Sequence, residues 1–512
     1  MSKPEAPVEV LPIRPFTKPA NARVRVPGSK SITNRALAIG ALCRDGIELW
    51  YGLQSRDTQI MQSCLIALGR EFGRRQIEGN IDATTEEDYK TFVESGNKLE
   101  LKQPSGSDIF PNHKGVTLHM GNAGTAARFM TALLCLQPEG EFYVDGDEAM
   151  YRRPMKGLTD ALESLGAQFT FHNTPGCIPF TLKTAPITAS GVDVDASESS
   201  QILSALLIMA AGLGRLFEVR LLGKTVSEPF VEMTAQMLRQ FGARCVKDDN
   251  NVFRVCGPVY WPFHHGFYSV EPDATAASYF LAIPLAAEGT SAVEMLDYCK
   301  LQGDKAFVDV LERLGIAMTV EEDPNWPQGP KGIRATLPSG VTPRGVTADF
   351  EAFSDTFLTL AALTPLLDGK TRISGIAHTR KQETDRVAAM ARELKKLGQH
   401  VVEEEGALEV TPDLAAMKAL ALKAREDAAN GSGNASGCIE IDTYHDHRFA
   451  MSFAILGCRD LLGDGQPWLA IRDPKCCGKT FPDFFEVLED AWKQSHLKGH
   501  RDACSGRFIA DE

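Results

Sequence analysis

The chain has 512 residues, which at about 150 residues per domain predicts two large domains or three smaller ones. Hydrophobic residues make up 43% of it, so a substantial core is expected, while the net charge of −13 has the wrong sign for a nucleic-acid-binding surface. The longest apolar run, Ile202 to Gly214, is too short to cross a membrane, and the N-terminus is too polar for a signal peptide. The twelve cysteines include no C-x-x-C pair, so we expect reduced thiols in a cytoplasmic protein without nucleic-acid or membrane partners.

Two kinds of predicted helix alternate along the chain. Six strongly apolar helices begin near Ser31, Gly124, Ser200, Ala274, Ser354 and Asp446. Five amphipathic helices end on a hydrophobic residue followed by glycine, the usual helix C-cap, at Leu68-Gly69, Leu165-Gly166, Phe241-Gly242, Leu314-Gly315 and Leu397-Gly398. Short β-rich runs such as EFYVDG and FEVRLLG separate the helices. The pattern predicts a unit of two helices and several strands, about 75 residues long and repeated six times.

Three units per half predict two similar domains. Residues 28–271 would form the first domain, and residues 1–27 and 272–512 would form the second. Polar insertions interrupt the pattern near 70–114 and 411–437. We expect both to lie on the surface, each as a short helix with a linker or, in the second insertion, partly as a flexible loop.

The starts of the six apolar helices carry a functional implication. If the helices run parallel within each half, their N-termini converge on one region between the halves. Helix N-termini present unpaired N–H groups and partial positive charge, which bind anions. The pattern therefore predicts a locally positive cleft in an acidic protein, suited to small phosphorylated or carboxylated substrates.

Polar residues of the first half stand at these helix starts. In GSKSITNR, Lys30, Ser31 and Arg35 could hold an oxyanion, although a serine-capped turn with two solvated cations explains them equally well. The spacing is not that of a nucleotide-binding P-loop. In GNAGTAAR, Gly124 allows close approach of a ligand and Asn122 could reach it, but a plain glycine-rich turn is the alternative.

Two further segments of the first half suit anion binding. Arg153 follows Arg152 in YRRPM. Guanidinium groups form bidentate hydrogen bonds with carboxylates and phosphates, although paired arginines are usually just solvated. Ser199, Ser200 and Gln201 precede the most apolar helix, where their hydroxyl groups could bind a phosphate or simply cap the helix.

Carboxylates and cations mark the second half. Asp355 opens the fifth apolar helix, and Glu383 and Arg386 lie in the segment ETDR. A carboxylate beside cations can act as a general base, and a second one as an acid if its pKa is raised. The alternative is an ordinary ion pair between Glu383 and Arg386, three residues apart on a helix.

The last two segments are DTYHDHRF and KCCGKTF. His447 and Arg448 stand at the start of the sixth apolar helix, and Lys479 lies before the last helix. His445 and His447 suggest a metal site, but the further ligands that such a site requires are missing from the pattern, so no metal is predicted. The adjacent cysteines are interpreted as structural thiols.

Together these segments resemble 5-enolpyruvylshikimate-3-phosphate synthases, from about Val24 to Phe485. The segments that carry the resemblance are PGSKSITNRAL, GNAGTAAR, the Arg-Pro of YRRPM, SSQ, ETDR, DHR and KTFPDFF. The resemblance implies an α/β fold of two similar domains, each made of three βαβαββ units in an inverse α/β barrel. The second domain would also hold the N-terminal strand, and the active site would lie in the cleft between the domains.

The resemblance also implies a function. These enzymes transfer the enolpyruvyl group of phosphoenolpyruvate to the 5-hydroxyl of shikimate 3-phosphate and release phosphate, on the way to chorismate and the aromatic amino acids. It implies a cytoplasmic monomer that needs no metal or organic cofactor. Glyphosate is the family's inhibitor, and we expect it to bind here because Gly124 and Thr125 are intact.

Matching motif positions imply roles for individual residues. The expected ligands of shikimate 3-phosphate are Lys30, Ser31, Arg35, Ser199, Ser200, Gln201, Ser227, Asp355 and Gln382. The expected ligands of phosphoenolpyruvate are Lys30, Asn122, Gly124, Arg153, Gln201, Arg386, His447, Arg448 and Lys479. Asp355 would be the base for the 5-hydroxyl, and Glu383, with Lys30 nearby, would be the acid that protonates the methylene carbon.

The chain departs from the family pattern at several positions. Phe230 replaces a tyrosine, His378 an asparagine and Phe129 a proline. Gln382 stands where a substrate-binding lysine is expected, and the neighbouring Lys381 would point elsewhere on any regular backbone.

Two rival functions stay open at this stage. One is transfer to a UDP-sugar, as in UDP-N-acetylglucosamine enolpyruvyl transferases, which use a cysteine on a mobile loop as the acid. No such loop stands out between the second and third apolar helices. The other is a non-catalytic anion-binding homologue, supported only by Gln382 and Phe230 and opposed by the intact Lys30, Asp355 and Glu383.

Overall fold

The computed structural model describes residues 8–43, 46–74, 99–102, 109–259, 267–322, 329–502 and 507–511. Its N-terminal segment forms β1 (Val10–Pro12) and β2 (Ala20–Val24). Both strands pair with strands from the second half of the chain: β1 lies antiparallel to residues 470–472, and β2 lies parallel to residues 289–293.

The first half contains three repeats of strand, helix, strand, helix and hairpin. The first repeat has α1 (Lys30–Gly40), β3 (Ile47–Trp50), α2 (Arg56–Ala67), β4 (Phe72–Arg74) and β5 (Leu99–Leu101). The second has β6 (Lys114–His119), α3 (Gly124–Leu134), β7 (Glu141–Asp145), α4 (Lys156–Ser164), β8 (Gln168–Phe171) and β9 (Phe180–Lys183). The third has β10 (Gly191–Asp195), α5 (Ser200–Gly212), β11 (Leu216–Leu222), α6 (Pro229–Gln240), β12 (Arg244–Lys247) and β13 (Val252–Cys256). β14 (Phe267–Ser269) then runs parallel to β3 and completes the first sheet.

The second half repeats this plan. The fourth repeat has α7 (Ala274–Leu281), α8 (Ile283–Ala287), β15 (Gly289–Val293), α9 (Phe307–Arg313), β16 (Ala317–Glu321) and β17 (Gly332–Thr336). The fifth has β18 (Thr347–Asp349), α10 (Phe357–Leu363), β19 (Thr371–Ser374), α11 (Arg386–Lys396), β20 (His400–Glu403) and β21 (Leu408–Thr411). After α12 (Leu414–Ala429), the sixth has β22 (Ile439–Ile441), α13 (His447–Gly457), β23 (Leu469–Arg472) and α14 (Phe484–His496), followed by a hairpin of β24 (Gly499–Arg501) and β25 (Phe508–Ala510).

Five of the sheets share one topology. Their four strands lie in the order first, second, fourth and third, with the first two parallel and the last two forming an antiparallel hairpin. The sixth repeat has no hairpin of its own in its sheet, where β1 occupies the edge beside β23. Five of the six predicted units therefore have the βαβαββ pattern, and the sixth has a three-stranded sheet to which the N-terminal strand β1 contributes.

The two halves exchange their first strands. β2 lies in the sheet of the fourth repeat, and β14 lies in the sheet of the first repeat. The chain therefore crosses between the halves twice, and the crossing segments touch: the Ser29 amide donates to the Glu271 carbonyl and the Asp273 amide donates to the Pro27 carbonyl, both at 2.8 Å. An isolated antiparallel bridge pairs Gly28 with Pro272.

The buried apolar residues form two clusters that separate at the same crossing segments. One cluster contains residues between 32 and 270 together with Leu301, and the other contains residues 13–26 and 274–491. The domain boundaries at 28 and 271 stay a prediction, which this split supports.

The predicted helix boundaries can be compared with the observed ones. All five glycines of the predicted C-caps have positive φ, between 78° and 104°, as the left-handed cap requires. Five of the six apolar helices begin within one residue of the predicted start. The fifth differs, because Phe353 leaves helical geometry (φ −140°, ψ 45°) and Asp355 lies in a 3-10 turn, Glu351–Thr356, ahead of α10.

The second insertion is a surface helix with a linker, as one of the two interpretations proposed. α12 buries only Met417 and Ala421 and is capped by the Asp413 side chain, which accepts from the Ala416 amide. The first insertion falls largely on residues 75–98 and 103–108, outside the described residues. Within the described part of the chain, no helix has both the length and the apolar character needed to span a membrane.

The crossing segments predict a specific weakness. A Cβ atom added at Gly28 would lie 1.9 Å from the Tyr51 carbonyl oxygen, which is backbone and cannot rotate away. We expect Gly28→Ala to lower the urea midpoint, at a cost of about 1–3 kcal/mol. Gly52→Ala is the matched control, because among the described residues other than its chain neighbours the atom nearest to its added Cβ would be Thr33 Cγ2, at 3.7 Å. Equal midpoints for both variants would contradict the tight crossing.

Candidate active site

Three adjoining cavities lie between the two halves. Their volumes, including the solvent at their open mouths, are about 810, 410 and 370 Å³. Lys30 from the first half and Asp355 from the second line all three cavities. The cavities therefore form one continuous cleft with walls from both halves.

The starts of all six apolar helices line this cleft. The residues concerned are Lys30 and Ser31 of α1, Gly124 and Thr125 of α3, Ser200 and Gln201 of α5, Thr275 and Ala276 of α7, Asp355 before α10, and Arg448 of α13. The predicted convergence of the helix N-termini is confirmed. Their positive partial charges face the same space. Side chains already accept from several of the first amides, among them those of Lys30, Gln201 and Arg448.

Lys30 and Arg35 of α1 bring positive charge to the cleft. The Lys30 Nζ lies 3.5 Å from Asp57 Oδ2. Arg35 is buried and donates to Thr234 Oγ1 at 2.7 Å and to the Phe230 carbonyl at 3.1 Å, which are neutral acceptors. Burial lowers the pKa of Arg35 to about 9. Its charge is still present at neutral pH, so the neighbouring cavity favours an anion.

Gly124 allows two guanidinium groups to close over the start of α3. A Cβ atom there would lie 2.7 Å from Arg153 Nη2 and 2.8 Å from Arg128 Nη1. Arg128 donates to Gln201 Oε1 at 2.9 Å and to the Pro154 carbonyl at 2.7 Å, while Arg153 donates to Asn122 Oδ1 at 3.3 Å. Burial, together with the charge of Arg153, lowers the pKa of Arg128 to about 9.

A group of three serines lines the largest of the three cleft cavities. Ser199 caps α5 by accepting from the Gln201 amide at 3.3 Å, and Ser200 and Ser227 are buried beside it. Ser227 has a positive φ of 50°, and its Oγ lies 3.2 Å from His378 Nε2 in the second half. The same nitrogen lies 2.8 Å from Ser354 Oγ.

Arg386 connects the carboxylates of the second half. It donates to Asp355 Oδ1 at 2.9 Å, to Glu383 Oε2 at 2.9 Å and to Asp446 Oδ2 at 2.7 Å, and it also donates to Gln382. Arg448 Nη2 donates to the other Asp355 oxygen at 2.6 Å. Each oxygen of the Asp355 carboxylate thus faces a different guanidinium group.

Glu383 is held in the same way by two cations. Its Oε1 accepts from Lys479 Nζ at 2.7 Å and its Oε2 from Arg386, and the side chain is only 8% exposed. The predicted acid and base are therefore joined through Arg386, although they come from different elements of the fifth repeat.

The surrounding charges set the ionisation of these two carboxylates. Burial by itself would raise the pKa of Asp355, but Arg448, Arg386 and Lys30 outweigh burial and lower it below its ordinary value. Burial likewise would raise the pKa of Glu383, yet Lys479 and Arg386 hold it well below its ordinary value. Both groups are ionised at neutral pH, so Glu383 carries no proton in this arrangement.

His447 stands behind the cleft. Its side chain is fully buried, its Nδ1 lies 3.6 Å from Asp446 Oδ1, and it is not in the cavity walls. His445 instead faces solvent and contacts Asp473 Oδ2 at 2.7 Å, so the two histidines do not share a site. Among the described residues, no three His, Cys, Asp or Glu side chains are grouped to hold a metal ion.

Most of the predicted ligands lie in the cavity walls, and two more contact the walls from behind. Asn122 reaches the cleft through Arg153, and Lys479 through Glu383. Arg152 does not take part: it is largely exposed and pairs with Glu148.

Several cleft residues were not singled out from the sequence. They are Asp57, Arg128, Glu198, Tyr279 and Asp304. Arg128 lies inside the quoted segment GNAGTAAR, and Glu198 directly precedes the quoted segment SSQ, so their neighbours pointed to them. Asp304 is buried beside Asp355, and burial together with that neighbouring charge raises its pKa to about 7. No local pattern marks Asp57, Tyr279 or Asp304.

The repeats and the cleft define a class. Repeats and a cleft of this kind are found in enzymes with the two-domain inverse α/β fold. The cations and paired carboxylates of the cleft suit small anionic substrates. The structure of an EPSP synthase from Acinetobacter baumannii superimposes with a TM-score of 0.68 at 21% identity, over 94% of this chain and 98% of that one. The structure of an enolpyruvyl transferase from Streptomyces tendae superimposes with a TM-score of 0.64 at 14% identity, over 94% of this chain and 97% of that one.

Sequence comparison identifies the family. The family model described as EPSP synthase (3-phosphoshikimate 1-carboxyvinyltransferase) matches residues 16–488. Relatives called 3-phosphoshikimate 1-carboxyvinyltransferase include one from Opitutus terrae, 44% identical over 94% of this chain and 97% of its own. Another relative, from Cellvibrio japonicus, is 35% identical over 92% of this chain and 96% of its own. The chain belongs to the EPSP synthase family.

The buried His447 predicts a dependence of stability on pH. Burial, then the charges of Arg448 and Lys30, hold the pKa of His447 well below its ordinary value of about 6.5. The unfolded chain therefore binds a proton that the folded chain does not. The contribution of His447 to the free energy of unfolding is complete above about pH 6.5. It decreases below that pH, by at most about 1.4 kcal/mol per pH unit.

Replacing His447 should flatten that dependence. We expect the urea midpoints of His447→Asn and His447→Gln to fall less than that of the wild type between pH 7 and pH 5.5. Two neutral replacements are compared because a packing defect shifts the midpoint at every pH but does not change its slope. Parallel curves for wild type and variants would show that His447 does not contribute to the slope.

Proposed function

We propose that this chain transfers the enolpyruvyl group of phosphoenolpyruvate to the 5-hydroxyl of shikimate 3-phosphate and releases phosphate, with the residues of the cleft in the roles given below. The observation that carries the proposal is the cluster around Arg386. Two carboxylates suited to acid and base chemistry share this guanidinium group, in a cleft that gathers cations from both halves.

Phosphoenolpyruvate carries a carboxylate and a phosphate, so its site needs several positive charges. The residues proposed to bind it are Lys30, Asn122, Gly124, Arg153, Gln201, Arg386, His447, Arg448 and Lys479. Arg128 is added because it lines the same cleft and donates to Gln201. His447 would act from behind Arg448, since it is buried away from the cavity wall.

Shikimate 3-phosphate would occupy the largest of the three cleft cavities. The residues proposed to bind it are Lys30, Ser31, Arg35, Ser199, Ser200, Gln201, Ser227, Asp355 and Gln382. The serine group at the start of α5 offers hydroxyl and backbone donors to the phosphate. Arg35 offers a guanidinium group whose own acceptors are neutral.

Substrate binding would change the ionisation of the two carboxylates. The anionic groups of phosphoenolpyruvate compete with Asp355 and Glu383 for Arg386, Arg448 and Lys479. As those cations turn to the substrate, burial becomes the stronger influence and raises both pKa values. Asp355 then becomes a better base, and Glu383 can carry the proton that an acid must supply.

The reaction then balances within the cleft. The 5-hydroxyl oxygen attacks C2 of phosphoenolpyruvate while Asp355 takes its proton, and Glu383 donates a proton to C3. In the resulting tetrahedral intermediate, Glu383 removes a proton from the C3 methyl group, the C2–C3 double bond forms again and the bond from C2 to the phosphate oxygen breaks. The departing phosphate takes the proton held by Asp355. No metal or organic cofactor enters these steps.

Phosphate release from phosphoenolpyruvate tests the function directly. We expect release that depends on shikimate 3-phosphate and is absent with UDP-N-acetylglucosamine. Release with the UDP-sugar alone would favour the rival transferase. The rival transferases use a cysteine as the acid, on a loop between the second and third apolar helices. Between residues 136 and 199 this sequence has one cysteine, Cys177, which is buried and lies outside the cavity walls. Binding of both substrates without any turnover would favour the non-catalytic homologue.

The role of Asp355 predicts a separation of turnover from binding. We expect Asp355→Asn and Asp355→Ala to lower kcat by about 10²–10⁴-fold, the usual contribution of a general base, while binding of shikimate 3-phosphate stays detectable by calorimetry. Asp309→Asn is the control, because Asp309 is exposed on α9. Unchanged turnover in the Asp355 variants would refute the role as base.

Glyphosate is proposed as an inhibitor that competes with phosphoenolpyruvate for the same cations. Gly124→Ala would place a Cβ atom 2.7 Å from Arg153 Nη2 and displace that guanidinium group. We expect this variant to raise the KM for phosphoenolpyruvate and the inhibition constant of glyphosate by about tenfold or more, equivalent to about 1.4 kcal/mol. The KM for shikimate 3-phosphate is the internal control, and an equal rise in it would contradict the assignment.

A cytoplasmic monomer is part of the same proposal. It is supported by the cleft itself, since one chain supplies both walls. Sedimentation at working concentration is the measurement that checks the monomer.

A further inference from the structure

The turn between α10 and α11 has an irregular backbone at the position where the family's lysine is missing. A 3-10 turn, Ala377–Lys381, ends at Lys381, and Gln382 then adopts φ −91° and ψ −139°. Lys381 and Gln382 both line the largest of the three cleft cavities. Lys381 does point elsewhere than Gln382, as expected, but the irregular backbone leaves it in the wall of the same cavity.

The two side chains reach different parts of the cleft. The side-chain oxygen of Gln382 accepts a hydrogen bond from Arg386, which also donates to Asp355 and Glu383. Lys381 extends in the other direction, across to the first half, and its Nζ lies 2.7 Å from Glu198 Oε1. Glu198 directly precedes Ser199 and Ser200 at the start of α5.

The same 3-10 turn makes a second contact across the cleft. His378 Nε2 lies 3.2 Å from Ser227 Oγ of the first half and 2.8 Å from Ser354 Oγ of the second. Lys381 and His378 therefore both contact the first half, at Glu198 and at Ser227. Lys381 lines the same cavity as Ser199, Ser200 and Ser227, whose hydroxyl groups suit a phosphate.

The ion pair with Glu198 is weak enough to exchange. Lys381 is 62% exposed and Glu198 37% exposed, and exposed pairs of this kind contribute little to stability because water screens both charges. A phosphate dianion that also accepts from the serine hydroxyls offers Lys381 a stronger, charge-assisted partner. Without Lys381, the charge of Glu198 would stand beside the serine group and repel that phosphate.

We infer that Lys381, rather than residue 382, is the second-half cation that binds the phosphate group of the acceptor substrate, and that Glu198 holds it beside Ser199, Ser200 and Ser227. The inference rests on the proposed function, because it takes the acceptor to be shikimate 3-phosphate. In this chain Lys381 would then supply the positive charge that Gln382 cannot provide.

Binding of shikimate 3-phosphate is compared with binding of shikimate, which lacks only the phosphate. We expect Lys381→Gln to weaken the binding of shikimate 3-phosphate by about tenfold or more, as measured by calorimetry. The affinity for shikimate should stay within about twofold of the wild-type value. Lys381→Arg should recover most of the loss, because it restores the charge. The KM for shikimate 3-phosphate should rise in parallel, while kcat and the KM for phosphoenolpyruvate change by less than about twofold.

Glu198 provides a second test. We expect the double variant Glu198→Gln with Lys381→Gln to bind shikimate 3-phosphate better than Lys381→Gln alone, because the unpaired carboxylate is gone. Lys370→Gln is the matched control: its partner is Glu409 at 2.8 Å, in an exposed pair far along the same repeat. A control that weakened shikimate 3-phosphate equally would overturn the inference.

The inference and the proposed function fail in different ways. If the wild type releases phosphate with shikimate 3-phosphate but Lys381→Gln keeps the wild-type ratio of the two affinities, Lys381 is not the phosphate ligand and the function stands. If the wild type neither turns over nor binds shikimate 3-phosphate, both are wrong.

Discussion

The buried guanidinium group of Arg386 is the interaction on which the site depends. It donates to Asp355, Glu383 and Asp446, and its side chain is only 2% exposed. Charges removed from water are tolerated only when they are paired and hydrogen bonded, so this arginine and its carboxylates have to assemble together. Loss of one partner would leave an uncompensated buried charge. The relative position of the proposed acid and base is therefore fixed by a single side chain at the start of α11.

A cleft in which cations and carboxylates are interleaved, in a protein of net charge −13, follows from the same constraint. Six helix N-termini and the cations of both halves face one space, and they would repel one another without carboxylates among them. Asp355 and Glu383 supply that negative charge, and at the same time Arg386, Arg448 and Lys479 keep their pKa values low. An anionic substrate that takes over these cations frees the carboxylates to transfer protons, so one set of ion pairs serves both stability and catalysis.

The cleft also depends on contacts between the halves. The exchange of β2 and β14 links the two sheets, and the crossing segments meet at Gly28 and Pro272. On the far side of the cleft, His378 reaches Ser227 and Lys381 reaches Glu198. Both links belong to the turn Ala377–Lys381. The sequence departs from the family pattern within this turn at 378 and directly after it at 382. The departures therefore lie where the two halves and the acceptor's phosphate would come together.

The sequence alone determined the features that depend on neighbours along the chain. Helix starts, glycine caps such as Gly69 and Gly398, and the β-rich runs follow from local periodicity and turn chemistry, so the six units and the motifs at their helix starts could be predicted. Only the tertiary structure decided which motifs meet. The sharing of Arg386 by Asp355 and Glu383, the place of Asp304 beside Asp355 and the direction of Lys381 depend on residues distant in sequence or on one irregular backbone angle. Local patterns carry no information about such contacts, because burial and pairing are properties of the packed chain.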